Sequence, residues 1–409
     1  MKCGLLGEKL GHSYSPQIHS YLADYSYDLV EVAPEKLGEF LNSNSLSGFN
    51  VTIPYKKAVI PYCAQLSSQA AELGSVNTVI RLPDGTLYGD NTDYYGFYKM
   101  LERSQLNIKG KKVLVLGSGG ASVTVRAVLS HAQANVVTIS RSGADNYTNL
   151  HLHRDAAVIV NTTPVGMYPN TGISPIDLAL FPQLEGVLDV VYNPARTQLL
   201  LDAENLGLKT ENGLYMLVSQ AKKAAELFTG TEIADWKIDS IYKNLSAQME
   251  NIVLVGMPGC GKTSIANALG ALTGREVVDT DAEIVKLAGR PIPEIFAQDG
   301  EEVFRQLETQ VLRAFGHRSG LILSTGGGCV TQERNYPILH QNGRLYWILR
   351  QLEALPIDGR PISIVQSRES LYARREPMYR RFADHIVQND STLEDAAKQI
   401  QRLQEGAAK

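Results

Sequence analysis

The stretch Gly256-Met257-Pro258-Gly259-Cys260-Gly261-Lys262-Thr263 constrains the fold more than any other in the chain. An apolar run at 251–255 precedes it, and residues 263–272 after it have helical spacing. Gly-x-x-x-x-Gly-Lys-Thr between a strand and a helix is a phosphate-binding loop. Its glycines let successive N–H groups curl round a phosphate, the lysine reaches the terminal phosphates, and the threonine hydroxyl binds Mg²⁺. The candidate nucleotide contacts are therefore Gly259, Cys260, Gly261, Lys262, Thr263 and Ser264, with Cys260 serving as a small residue in the loop.

A loop of this kind sits in a parallel α/β sheet, and the rest of the chain has the same grammar. Strand-like runs at 28–32, 48–53, 111–117, 135–140, 156–163, 186–192, 251–256, 321–327 and 344–350 alternate with helical stretches such as 122–132. Short apolar strands separated by helices predict parallel sheets covered on both faces. The 409 residues allow two to four domains at roughly 100–200 residues each. Net charge is −4 with no long basic stripe, which argues against nucleic acid and anionic membrane as partners. No apolar run approaches the ~18 residues of a membrane span. The four scattered cysteines form neither a disulfide frame nor a zinc pattern, which fits a reducing cytoplasm. The glycine-broken N-terminus is too short for a signal peptide.

A second glycine loop, Gly117-Ser118-Gly119-Gly120-Ala121, follows the run at 113–116. Gly-x-Gly alone is a weak signal, and a plain strand–helix turn is its bland reading. The next strand ends ~20 residues on, where a dinucleotide fold reads the adenosine ribose. There stand Ser140-Arg141-Ser142 rather than a carboxylate. A guanidinium and hydroxyls suit a 2′-phosphate, so NADP is favoured over NAD; a solvated surface arginine is the alternative.

Other residues carry chemistry in groups. Ser15 reads as a helix N-cap with Pro16 at the first helical position, while Ser13 lacks that explanation. Two hydroxyls at a helix N-terminus can hold a small carboxylate. Thr52 and Lys56 follow a strand stopped by Pro54, and Asn77 and Asp93 lie on short loops. Downstream, Asp279 and Asp281 end the strand after the phosphate loop, placing one carboxylate for Mg²⁺ and one toward an acceptor; a capped helix start at Asp281 is the alternative. Arg305 and Glu308 share a predicted helix, Gly326–Gly328 allow close backbone approach, and Arg360 and Arg375 add cations.

Taken in order, 11–20, 50–56, 75–78, 91–96, the first glycine loop and 213–221 resemble shikimate dehydrogenase over residues 1 to ~245. The second loop with Asp279, Asp281, Arg305, the triple glycine and Arg375 resembles shikimate kinase over 250–409. The resemblance implies an α/β chain of three parts: a substrate-binding domain at 1–93 with helices 214–245 packing back on it, a Rossmann NADP domain at 94–213, and a P-loop kinase domain with a parallel sheet at 246–409.

It also implies roles. Ser13 and Ser15 bind the substrate carboxylate; Lys56 and Asp93 form the catalytic pair; Thr52, Asn77 and Gln220 bind ring hydroxyls. Tyr192 and Met216 lie by substrate and nicotinamide, and Thr162 lines the cofactor side. In the kinase part Thr263 and Asp279 serve Mg²⁺, while Lys262 and Asp281 are catalytic. Arg305 and Arg375 clamp the carboxylate, Gly327 and Gly328 give backbone contacts, and Arg360 is the lid arginine on ATP. The implied ligands are NADPH, ATP, Mg²⁺, 3-dehydroshikimate and shikimate.

Two departures matter. Ser140 stands where the family has asparagine, and Arg154 is the next arginine, which weakens the 2′-phosphate grip. The lid before Arg360 is short and poor in basic residues. Two alternatives follow from these features: a catalytically weak, nucleotide-sensing kinase half, and quinate specificity in the dehydrogenase half.

Overall fold

The computed structural model describes residues 1–11, 13–43, 45–355 and 367–407. Arg360 lies outside the described residues, as do 356–359 before it. The described chain builds three sheets. The first holds β1 (Lys2–Gly7), β2 (Ser26–Glu31), β3 (Gly48–Val51), β4 (Gln65–Leu66), β5 (Thr78–Arg81) and β6 (Leu87–Asp90), in the order β2-β1-β3-β5-β6-β4. The second holds β7 (Lys112–Leu116), β8 (Asn135–Ile139), β9 (Val158–Asn161), β10 (Gly186–Asp189) and β11 (Lys209–Asn212), in the order β11-β10-β9-β7-β8. The third holds β12 (Asn251–Val255), β13 (Val277–Asp279), β14 (Ile322–Ser324), β15 (Gly343–Leu349) and β16 (His385–Gln388), in the order β13-β14-β12-β15-β16.

The central strands β9, β10 and β12 are buried along their whole length, which is why they read as unbroken apolar runs. The second and third sheets are parallel throughout. The first is not, contrary to the expectation of parallel sheets only. Its β3–β5 and β5–β6 pairs are antiparallel. The cause is local: the Leu82 amide donates to the Thr86 carbonyl at 2.8 Å, and Gly85 takes φ 85°. That connection is a hairpin, far too short for a parallel crossover.

The chain divides into two compact units, one of Met1–Val165, Pro175–Tyr192 and Asp202–Tyr242, the other of Gly166–Ser174, Asn193–Leu201 and Lys243–Lys409. In the second unit the Arg196 amide donates to the Gln341 carbonyl at 2.9 Å and its Nη2 to the Gly343 carbonyl at 2.6 Å. In the first unit, helix Thr92–Ser104 packs along helix Leu214–Thr229. Gly96 makes this approach possible: a Cβ there would lie 2.7 Å from the Met216 carbonyl oxygen and 3.0 Å from Gln220 Cβ. The packing therefore sets Asp93 on one helix against Met216 and Gln220 on the other.

Two candidate active sites

In the first unit, Lys56 Nζ meets Asp93 Oδ2 at 2.6 Å, with the lysine side chain 28% and the aspartate 9% exposed. Each partner is held by its own element. The Val76 amide donates to the Lys56 carbonyl at 2.8 Å. Asp93 stands in the first turn of Thr92–Ser104, where the Asn91 side chain caps the helix by accepting from the Tyr94 amide at 3.3 Å. An acidic side chain is favoured there by the helix dipole. Beside the pair, Asn77 Nδ2 donates to Gln220 Oε1 at 3.1 Å, and the Thr92 amide donates to Asn77 Oδ1 at 2.7 Å. The Lys56–Asp93 pair and the Asn77–Gln220 pair are thus linked through Thr92, whose amide is held by Asn77 one residue before Asp93. Thr52 follows β3 and is anchored by its own amide on the Leu6 carbonyl at 2.9 Å.

Ser13 and Ser15 lie together at the start of helix Ser15–Leu22. Ser15 is not the N-cap expected of it: the cap position is Tyr14, no side chain caps the helix, and Ser13 Oγ accepts from the Ser15 amide at 3.2 Å in the turn before it. Between them, Tyr14 meets Tyr192 edge-on at 6.3 Å, which places the serine turn next to the loop after β10. Burial pushes the Tyr192 phenol above its ordinary range, with Tyr14 adding to the effect. Met216 is buried in the first turn of Leu214–Thr229.

The second sheet's order places its switch point between β7 and β9, where open α/β sheets bind ligands beyond the strand ends. Gly117 follows β7 with φ 104°, and a Cβ there would sit 2.9 Å from Thr162 Oγ1. The Thr162 hydroxyl is spent on the Leu116 carbonyl, 2.6 Å away, and so locks the two strand ends together. A Cβ on Gly119 or Gly120 would meet nothing, and helix Gly120–His131 has no side-chain cap. Bare amides at a helix start, facing open space, fit a dinucleotide's pyrophosphate. Ser140 and Arg141 end β8; Arg141 is exposed and, among the described residues, has no salt-bridge partner, which leaves its guanidinium available to a 2′-phosphate.

In the second unit a cavity of about 610 Å³ is lined by Lys262, Thr263, Asp279, Asp281, Arg305 and Arg375, together with Gly259, Gly261, Ser264, Gly327 and Gly328. The phosphate loop owes its shape to Gly256, Gly259 and Gly261, at φ 143°, 84° and 100°. Asn389 Nδ2 holds it by donating to the Cys260 carbonyl at 2.7 Å. Lys262 Nζ folds back on the loop, 2.9 Å from the Gly256 and 3.0 Å from the Met257 carbonyl. The Thr263 hydroxyl donates to Asp279 Oδ2 at 2.8 Å, while Asp279 Oδ1 caps the next helix through the amides of Asp281 and Ala282. Among the described residues no three His, Cys, Asp or Glu side chains gather as a metal cage. One hydroxyl and one carboxylate beside a phosphate loop fit Mg²⁺, which keeps waters and shares substrate phosphates.

The far wall is cationic. Arg305 Nη1 pairs with Glu308 Oε2 at 2.8 Å, and Arg305 Nη2 with Glu301 Oε1 at 3.0 Å. Gly328 is the cradle for this guanidinium, since a Cβ there would fall 2.2 Å from Arg305 Nη2. Burial pushes the Glu308 carboxyl up to about 7, against the pull of Arg305. Arg375 is 1% exposed; its Nη1 donates to the Gly327 carbonyl at 3.0 Å, but among the described residues its Nε and Nη2 meet no hydrogen-bond partner. Two unpaired nitrogens on one edge of a buried guanidinium fit a bound carboxylate.

The cavity brings together the kinase-part residues expected from the sequence, apart from Cys260, which is buried within the loop, and Arg360, which lies outside the described residues. The motif reading did not assign Glu301, Ser324, Tyr379 or Asn389, and Glu308 only as a helix neighbour of Arg305. Ser324, Tyr379 and Asn389 acquire roles only once helix and strand ends converge, whereas Glu301 and Glu308 stand four before and three after Arg305 on one helix, a spacing that could have found them.

The family described as shikimate dehydrogenase substrate binding domain matches residues 5–79, and the family described as shikimate kinase matches 258–404. The shikimate dehydrogenase (NADP(+)) of Clostridium perfringens strain 13 is 38% identical over 267 residues, covering 60% of this chain and 98% of the relative. Among solved structures, a chorismate mutase/shikimate 5-dehydrogenase fusion protein from Clostridium acetobutylicum is 37% identical, with TM-score 0.57, covering 60% of this chain and 96% of that one. The shikimate 5-dehydrogenase of Thermus thermophilus, solved with NADP(H) and shikimate, is 31% identical with TM-score 0.55, covering 60% and 99%. Among the described residues no helix is long and apolar enough to cross a membrane. The chain belongs to the shikimate dehydrogenase family, a class of NADP-dependent oxidoreductases, and carries in its C-terminal part a shikimate kinase domain of the ATP-using kind.

Proposed function

We propose that the chain catalyses two consecutive steps of aromatic biosynthesis: NADPH-dependent reduction of 3-dehydroshikimate to shikimate, then transfer of the ATP γ-phosphoryl group to shikimate. The proposal keeps the division into 1–93 with 214–245, 94–213 and 246–409. The observation that carries it is Arg375, a buried guanidinium with two nitrogens that meet no partner among the described residues, in the cavity of the phosphate loop. An acceptor that bears a carboxylate satisfies it, and shikimate is such an acceptor.

In the first site NADPH supplies the hydride when bound. Negative charge then grows on the ketone oxygen, and the Lys56 ammonium beside it stabilises that charge and delivers the proton. Asp93, 2.6 Å from Lys56 Nζ, holds the ammonium in place and accepts from a neighbouring hydroxyl. Ser13 and Ser15 take the carboxylate, Asn77, Gln220 and Thr52 the ring oxygens, and Arg141 with Ser140 the 2′-phosphate. A site that pairs several hydroxyls strongly rejects analogues lacking them.

In the second site Lys262 turns from the loop carbonyls to the terminal phosphates, and Thr263 with Asp279 would hold Mg²⁺, which neutralises charge on the phosphates. Asp281 orients the attacking hydroxyl and takes its proton; Arg305 and Arg375 hold the carboxylate. Both reactions are small-molecule chemistry, in line with a cytoplasmic enzyme.

The test is to assay the full chain separately for NADPH oxidation with 3-dehydroshikimate and for ADP release with shikimate, ATP and Mg²⁺. Both rates are expected, with Lys262→Ala abolishing only the second. ADP release that shikimate does not stimulate would leave the kinase part a nucleotide sensor. A preference for quinate or NADH would overturn the first assignment.

A further inference from the structure

A buried polar chain runs from helix Ser15–Leu22 to the amides at the first site. His19 is 1% exposed, stacks on Tyr27 at 3.9 Å, and its Nδ1 lies 2.6 Å from the Tyr25 hydroxyl. Burial holds the His19 ring down to about 3, so it is neutral, and its side chain also hydrogen-bonds Asn50. With Nδ1 facing a hydroxyl, the remaining ring nitrogen donates to the Asn50 oxygen, which also accepts from the Tyr27 hydroxyl at 2.7 Å. Asn50 Nδ2 is thereby turned to Thr78, where it donates to Oγ1 at 2.9 Å. The Thr78 hydroxyl, 0% exposed, donates onward to Asn77 Oδ1 at 3.1 Å and also lies 3.0 Å from Thr92 Oγ1. Asn77 Oδ1 is further taken by the Thr92 amide at 2.7 Å, and Asn77 Nδ2 donates to Gln220 Oε1 at 3.1 Å.

From Asn50 onward the chain has a direction, Asn50 Nδ2 donating to Thr78 Oγ1 and Thr78 Oγ1 to Asn77 Oδ1. Asn77 Oδ1 is filled by the protein, so the free groups of Asn77 are N–H only, and Gln220 Oε1 gives one of its two lone pairs to Asn77 Nδ2, which fixes the direction of that carboxamide. An amide oriented by a closed network cannot flip without leaving a buried group unpaired, which is costly.

We infer that His19, Asn50 and Thr78 are positioning residues that fix the Asn77 and Gln220 amides with their N–H groups toward the ligand. The N–H groups of Asn77 and Gln220 then select an acceptor oxygen on the ligand, that of a ketone or of a hydroxyl. Asp93 is left as the group that accepts from a substrate hydroxyl. The inference rests on the proposal that Asn77 and Gln220 face the dehydrogenase substrate, and it adds what sets their polarity.

Thr78→Val removes the central hydroxyl at constant shape; Thr78→Ser keeps it. With the full chain, Thr78→Val is expected to raise the KM for 3-dehydroshikimate about tenfold or more and to leave the KM for NADPH within about twofold, while Thr78→Ser restores the wild-type value. A merely structural role would not divide the two KM values or be rescued by serine. A folded Thr78→Val protein with the wild-type KM for 3-dehydroshikimate overturns the inference. If that variant fails to fold, Asn50→Asp, which cannot donate to Thr78, must give the same selective rise, and an unchanged KM there overturns the inference equally. Wild-type protein that does not reduce 3-dehydroshikimate would instead sink the functional proposal and take this inference with it.

Discussion

A methyl group placed on Gly96 tests whether the seam between helices Thr92–Ser104 and Leu214–Thr229 sets the catalytic geometry. The new Cβ would stand 2.7 Å from the Met216 carbonyl oxygen, 3.0 Å from Gln220 Cβ and 3.2 Å from Met216 Cγ. A comfortable carbon-to-carbonyl contact is about 3.3 Å, so the helices must part by roughly 0.6 Å. Overpacking of this kind costs about 1–3 kcal/mol, and the better helix propensity of alanine returns about 1 kcal/mol. The first unit should therefore lose about 0–2 kcal/mol and remain folded. Activity should suffer more. Asp93 lies one turn before Gly96, and Gln220 stands on the opposite helix. Since a misplacement of about 1 Å can cost about 10²-fold, a shift of roughly 0.6 Å should lower kcat/KM for 3-dehydroshikimate roughly tenfold to fiftyfold. The assay is NADPH oxidation, with shikimate-dependent ADP release from the same sample as the internal control. Wild-type kcat/KM in a folded Gly96→Ala protein would refute the claim that this contact positions the site.

Other residues give separate tests. Lys56→Ala should lower kcat of reduction about 10²–10⁴-fold, the usual worth of a positioned acid, and a loss confined to KM would make Lys56 a binder only. Arg141→Ala should raise the NADPH KM with kcat nearly unchanged; an unchanged KM removes Arg141 from the cofactor site. Asp279→Asn keeps a capping oxygen but loses the charge, so phosphoryl transfer should fall on the order of 10²-fold or more with stability preserved, whereas Asp279→Ala should also lose about 1 kcal/mol. Equal unfolding temperatures for the two variants would contradict the double role. Glu308 has its pKa raised from the usual 4.5 to about 7, chiefly by burial, with Arg305, Asp281 and Arg375 around it. The folded state then binds more protons than the unfolded chain between those values, so this group's contribution to stability falls as pH rises through that window. The stability of the second unit, followed by unfolding across the same window, should decline less in Glu308→Gln; an identical slope would show that Glu308 does not govern it.

Much of this was written in local sequence. β7, β8, β12 and β15 stand within a residue or two of the apolar runs that announce them, because parallel strands covered on both faces carry no polar interruption. β11, with the sequence Lys-Thr-Glu-Asn, is an edge strand too polar to announce itself, and β16 is a four-residue edge strand. The hairpin of β5 and β6 carries an Asp84-Gly85 turn signal, yet its strands are four residues each and lie in a polar, turn-rich stretch. Motif residues such as Lys262, Thr263 and Asp279 were legible because backbone geometry fixes their spacing. The His19–Asn50–Thr78 chain was not, since its members stand on separate elements and meet only when β3, β5 and the first helix pack. Ser15 misled for a subtler reason: the helix starts one residue earlier than its N-cap reading requires, with Tyr14 at the cap, and local sequence places helix ends no better than that.

The central claim is that one chain hands a single molecule from a ketone reductase to a kinase. The most direct measurement supplies 3-dehydroshikimate, deuterated NADPH and ATP with a labelled γ-phosphoryl group to the full-length protein and weighs the product. The account predicts shikimate phosphate carrying both labels in the wild type, and deuterated shikimate alone in Lys262→Ala. Deuterated shikimate that accumulates without phosphate in the wild type, or unreacted ketone, would contradict it.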